Sequence, residues 1–312
     1  MRIVSLLPSA TEIVYALGLD GQLLGVTDEC DFPPAAMTKP VVVRARQPGG
    51  LTAGEIDAWV SEQAALDGLY RLDDAALSAI APDLVLTQDL CRVCAVPTAD
   101  VDAALQRVGC PSSVVTLEPQ TLAEVLDSVL TVASAAGIAA RGRQLRLALQ
   151  QRLDAVAAAV HDRPPVPTLV LEWLDPPYTA GHWIPDLVTA AGGTAALGTA
   201  GGRSRAIDWA TVAEQRAEVV VLAPCGTDPA DTWRQSGLVP DDLLPARTFA
   251  ADLARPGPRL VDCVEALAAV LHPDAGLPER PDVLMPRPLS LTPRSLSLMP
   301  RSLSDTAGTL ER

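Results

Sequence analysis

RIVSLLPSATEIVYALGLDGQLLGVT, residues 2–27, sets the fold class of this chain. RIVSLL (2–7) is an apolar run of strand length. Ser9 and Glu12 then stand in the S-x-x-E spacing of a helix-capping box, and Gly18 marks the helix stop. LLGVT (23–27) is a second buried strand. A strand, a helix and a strand within 26 residues make a βαβ start. The same alternation continues. Thr52 and Glu55 cap a helix running to about Leu66, and DLVLT (83–87) and SSVVTL (112–117) are further strands.

Thr121 and Glu124 cap a longer segment. From Leu122 to about Val160 there is no proline, and leucine, valine and alanine recur at helical spacing. About 40 residues at 1.5 Å each span roughly 60 Å, unless Gly137 breaks the helix in two. A helix of that length is suited to joining two lobes. RPPVP (163–167) ends it, and a second set follows: strands TLVLEW (168–173) and EVVVLA (218–223), helices IPDLVTAAG (184–192) and RLVDCVEALAAVLH (259–272), and a helix capped by Asp208. The expected fold is α/β, with two Rossmann-like lobes of parallel sheet joined by one long helix. Residues 1–118 form the N-terminal lobe, 119–162 the linker helix and 163–274 the C-terminal lobe. Residues 275–312 are expected to be a disordered low-complexity tail, in which PRPLSL, PRSLSL and PRSLSD recur every seven residues from 286, 293 and 300.

The 312 residues carry a net charge of -14. An acidic surface attracts neither nucleic acid nor an anionic membrane, and no apolar run reaches the length needed to cross a bilayer. The N-terminus lacks signal-peptide character, because Pro8 and Glu12 interrupt its apolar stretch, and Cys30 in DECDFP is no lipid anchor. The sequence therefore predicts a cytoplasmic protein, in which thiols stay reduced and the six cysteines are free, metal-bound or catalytic rather than paired.

Four of those cysteines lie just past predicted strands: Cys30, Cys91, Cys94 and Cys225. Open parallel sheets place ligands beyond the carboxyl ends of their strands. The four thiols are candidates for a zinc or iron–sulfur site; the competing reading is that each is a small buried hydrophobe. Cys110 and Cys263 read as core filler. The chain holds five tryptophans, three tyrosines and two phenylalanines. Trp173, Tyr178 and Trp183 fall in one loop, EWLDPPYTAGHW (172–183), which suggests either a stacking surface for a large flat ligand or a loop folded on its own aromatics. Phe32 faces the same choice. His182, in the same loop, is a candidate metal ligand or a loop histidine bonded to backbone. Strand-end carboxylates Glu29, Asp31, Asp89, Glu172 and Asp175 offer acid–base chemistry or merely reflect an acidic chain. No G-x-G-x-x-G, P-loop or G-x-S-x-G elbow is present, which disfavours nucleotide-dependent enzymes and α/β-hydrolases.

The opening RIVSLLPSATEIVYALGLDGQLLGVTDECDFP, the strand APDLVLT, the long capped helix and RPGPRLVDCVEALAAVLHP together resemble the cobalamin- and iron-chelate-binding family of ABC-transporter substrate-binding proteins, over roughly 1–274. That resemblance implies two lobes bridged by a rigid helix, with a ligand held between them without chemical conversion. It implies that segments around Pro8 and Ser9, Cys30–Phe32, Trp173–Trp183 and Arg255–Arg259 line the cleft, with Arg255 and Arg259 meeting polar or anionic ligand groups. The ligand implied is cobalamin or a related small-molecule metal chelate, and an ABC permease becomes a partner only if the chain is exported. The competing expectation is a cytosolic metal- or iron–sulfur-binding protein or redox enzyme that uses the four cysteines in the same cleft.

Overall fold

The apolar run at the N-terminus forms β1 (Ile3–Ser5), whose residues are wholly buried. The computed structural model describes residues 1–63, 69–89, 96–244 and 247–288. After β1 come α1 (Pro8–Ala16), β2 (Leu23–Thr27), β3 (Val41–Ala45), α2 (Ala53–Gln63), β4 (Tyr70–Leu72), α3 (Asp74–Ile80), β5 (Leu84–Thr87), α4 (Thr98–Arg107) and β6 (Ser113–Thr116). Their six strands make one sheet in the order β4-β3-β2-β1-β5-β6, parallel except for β4 at the edge. Two helices follow, α5 (Leu122–Ala135) and α6 (Ala139–Val160). The second lobe contains β7 (Val166–Leu174), β8 (Pro177–Thr179), α7 (Ile184–Ala190), β9 (Gly193–Ala195), α8 (Trp209–Glu214), β10 (Val219–Leu222), α9 (Pro229–Gln235), β11 (Thr248–Ala251), α10 (Leu260–Leu271) and β12 (Leu284–Pro286). Its sheet runs β12-β11-β10-β7-β8, with β9 also paired to β7; β8 and β12 are antiparallel edges. The parallel interior of each sheet is covered on both faces, so its strands read as unbroken apolar runs.

The structure corrects three expectations. The single linker helix is two helices, because Gly137 adopts φ +73, which a helix interior cannot accommodate. The chain then folds back so that Arg146 on α6 pairs with Asp127 on α5 at 3.0 Å. At Gly142 a Cβ would lie 2.4 Å from that of Ala133, so only glycine permits this approach of the two helices. The bridge itself is α6, about 33 Å long at 1.5 Å per residue for its 22 residues. Arg141, in its first turn, donates to the Leu17 carbonyl at the end of α1 (2.8 Å), and Arg152 is clamped by Glu265 (2.8 Å) and Asp262 on α10 of the other lobe.

Ser9 and Glu12 form no capping box. Pro8 takes the first helical position, where its missing N–H costs nothing, and Glu12 turns away to Arg259. The boxes at Thr52/Glu55 and Thr121/Glu124 do form. Third, the stretch from 275 onward is not all tail: β12 pairs with β11 and closes the second sheet, while 289–312 lie outside the described residues. One apolar core runs through the molecule, joining α1 and β1 of the first lobe to α5, α6, α7 and α10 and to β10 of the second.

Candidate binding site

The carboxyl ends of β1, β2, β5, β7 and β10 face one cleft between the lobes, as expected for parallel sheets. It has two adjoining compartments of about 480 and 550 Å3, which share Ile56, Val60, Gln88, Trp173, Cys225, Ala254 and Pro256. The volume lies in the range of small-molecule sites. The first compartment adds Leu7, Pro8, Ser9, Asp28, Glu29, Trp59, Tyr70 and Arg255; the second adds Asp57, Asp89, Glu172, Tyr178, His182, Trp183 and Arg203.

Helix α2 forms one wall. Its capping box sets its start at Ala53, and Ile56, Trp59 and Val60 then fall at i, i+3 and i+4 on the face turned to the cleft. Asp57 accepts a hydrogen bond from Tyr178 Oη at 2.9 Å, which ties α2 of the first lobe to β8 of the second across the opening. Trp59 therefore stands on one lobe and Trp173 on the other, both lining the first compartment. The Trp173 indole nitrogen is already used, donating to the Asp175 carbonyl (3.0 Å).

The electrostatics are strongly one-signed. Asp28, Glu29, Asp31, Asp57, Asp89 and Glu172 line the two compartments, against Arg203 and Arg255. Arg255 is engaged: it donates to Asp31 (3.0 Å) and lies 3.3 Å from Asp252. Glu172 accepts from the Gly181 amide (2.5 Å). Glu29 sits in the concavity beside Asp28 and near Tyr70 Oη (3.5 Å); loss of hydration, with Asp28 adding repulsion, pushes its carboxyl up to about 7. His182 holds φ +49 and donates its amide to the Gly202 carbonyl (2.6 Å); loss of hydration, with Arg203 nearby, lowers its pKa and favours the neutral ring.

Of the residues singled out from sequence, Pro8, Ser9, Trp173, Tyr178, His182, Trp183, Arg255 and Cys225 line the cleft. Trp183 is largely buried, its indole donating to the Leu253 carbonyl (2.9 Å). Phe32 and Arg259 do not line the cleft. They meet each other beside it, with the Arg259 guanidinium 4.1 Å from the Phe32 ring centroid and bound through two nitrogens to the buried Glu12 (2.9 and 2.7 Å). That cation–π contact and ion pair fasten the lobes together.

The cysteines are divided. Cys30 is in the core, its sulfur 3.1 Å from Thr11 Oγ1, and burial pushes its thiol up. Cys225 is on the cleft wall; Cys91 and Cys94 lie outside the described residues. Among the described residues no group of three or more histidine, cysteine or carboxylate side chains is arranged to hold a metal ion. Sequence reasoning missed Ile56, Trp59 and Val60, although their helical stripe was there to be read.

A comparison with curated protein sequences gives no match. Solved structures share the fold. A periplasmic heme-binding protein from Pseudomonas aeruginosa is 21% identical, with 92% of this chain and 98% of that one covered and a TM-score of 0.67. The heme-binding protein RhuT from Roseiflexus sp. RS-1 is 22% identical, covering 88% and 98%, with a TM-score of 0.65. The vitamin B12-binding protein BtuF of Vibrio cholerae is 21% identical, covering 86% and 96%, with a TM-score of 0.61. The periplasmic binding protein family profile matches residues 3–250, and the chain belongs to that family of binding proteins, not to an enzyme family.

Proposed function

We propose that this protein is the ligand-capturing component of an ABC-type importer and that it holds cobalamin or a related corrinoid between its lobes. The observation that carries this reading is the charge of the cleft: six carboxylates line it against two arginines, and Arg255 is committed to Asp31 and Asp252. Solved neighbours are named for heme or for vitamin B12. A heme carries two carboxylates, which this wall repels. A corrinoid presents a rim of carboxamide donors, which carboxylates accept. Trp59 and Trp173, one from each lobe, supply flat apolar surface for the macrocycle.

Purified protein titrated in parallel with aquocobalamin and hemin tests this. Quenching of tryptophan fluorescence and a shift in the corrinoid visible bands at micromolar ligand are expected, with hemin binding at least tenfold weaker, a gap of about 1.4 kcal/mol. Tight hemin binding without corrinoid binding overturns the reading.

A further inference from the structure

Strands β3 and β4 set two arginines against each other. Their antiparallel register places Arg44 directly across from Arg71. Side chains opposed in this way share one face of the sheet, with Cβ atoms about 5 Å apart, and like charges there repel. The chain has 38 acidic residues for 24 lysines and arginines. Even so, among the described residues no ion pair or side-chain hydrogen bond involves Arg44 or Arg71. The two line a recess of about 560 Å3 that shares no residue with either compartment of the cleft. Val41, Val42 and Leu72 give it apolar walls, and Arg107, at the end of α4, adds a third guanidinium. Two aspartates line it as well, and both are engaged. Asp74 accepts two hydrogen bonds from Arg107 (2.9 and 3.0 Å), which fixes that side chain, and Asp73 caps α3 by accepting from the Ala76 amide (3.0 Å). Three positive charges thus face two negative ones in a chain whose net charge is -14, and the surplus comes from the uncompensated cross-strand pair.

We propose that this recess binds a small phosphate-bearing anion, with Arg44 and Arg71 donating to its oxygens from neighbouring strands. A guanidinium meets the oxygens of a carboxylate or a phosphate through two parallel N–H bonds. A carboxylate has one such edge and suits one arginine. A terminal phosphate is tetrahedral and close to doubly charged, so it offers an edge to each of two. An anion between the guanidiniums replaces their mutual repulsion with attraction to a shared partner. The recess has the volume of a small-molecule site. The acidity of the whole chain disfavours a phosphate carried on an anionic bilayer, so the ligand is a soluble one and not a lipid headgroup.

Thermal unfolding of the full-length chain with inorganic phosphate tests this. Sodium chloride is exchanged for sodium phosphate at constant ionic strength and about pH 8, so that screening of the arginine pair stays the same. An anion held only by the folded state raises the melting temperature, and a saturable rise is expected at millimolar phosphate. Isothermal titration reads the affinities. Arg44→Gln and Arg71→Gln are each expected to weaken phosphate binding about tenfold, the order of one charge-assisted hydrogen bond, while Arg143→Gln on α6 leaves it unchanged. In chloride alone, Arg71→Gln is expected to melt no lower than the native chain, because it relieves the cross-strand repulsion; that arm separates lost binding from lost folding. A chain that responds to phosphate no more than to chloride overturns the proposal, as does a response that survives intact in both variants. Co-sedimentation with phosphatidic acid vesicles, without a response to free phosphate, overturns the assignment to a soluble ligand.

Discussion

Glu12 is 4% exposed, and both its carboxylate oxygens are met by Arg259 from the other lobe. Burial pushes its carboxyl up and the guanidinium pulls it back. A buried charge whose partner is removed is costly, so Arg259→Met is expected to lower unfolding free energy by about 3 kcal/mol. The double variant Glu12→Gln with Arg259→Met is expected to recover part of the loss, since it leaves no orphaned charge. Guanidinium unfolding of the three proteins checks both statements. Glu29 governs a different property. Its carboxyl titrates near 7, so it is ionised above neutrality and protonated below it. Affinity for a cationic corrinoid is therefore expected to fall as pH drops through 7, and Glu29→Gln to flatten that profile. Isothermal titration between pH 6 and 8 on both proteins measures it.

Among elements, α2 connects the two lobes' roles at the site. Trp59→Ala is expected to weaken corrinoid binding about tenfold, the order of one stacked aromatic contact. Tyr178→Phe, which removes the bond to Asp57 across the opening, is expected to cost about fivefold, the worth of one ordinary hydrogen bond. Fluorescence titration of both variants gives the comparison. The same motif read correctly in two places and wrongly in a third shows where sequence reading runs out. Thr52 and Thr121 cap their helices as their spacing says, because nothing distant competes for Glu55 or Glu124. Ser9 and Glu12 have that spacing too, but Pro8 moves the helix start and a guanidinium 247 residues away claims Glu12. The break at Gly137 was visible as an option, because one glycine in an apolar helix is tolerated or is a stop, and only packing decides. The interior strands were legible because burial on both faces makes them continuous apolar runs; the three-residue edge strands β4, β8, β9 and β12 are too short to carry a pattern. Trp59 was lost for a related reason: a stripe at i, i+3 and i+4 looks the same whether it faces a core or a cleft.

For the whole molecule, the geometry limits how far the lobes move. Helix α6 is tied to the first lobe by Arg141 in its first turn and to the second by Arg152 further along, and two ion pairs, Glu12–Arg259 and Asp31–Arg255, hold the lobes together beside the cleft. Small-angle X-ray scattering is expected to give the same radius of gyration for ligand-free and loaded protein, with a large contraction excluding this rigid-frame picture. The apolar core that passes from α1 through α5 and α6 to α10 has a further consequence. Each half keeps a smaller apolar cluster of its own on the other face of its sheet, but this larger buried layer is assembled from both. Heating should then give one calorimetric endotherm whose van't Hoff and calorimetric enthalpies agree, and a polypeptide produced in two pieces, severed between α5 and α6, should recover its shape only when the pieces are refolded together.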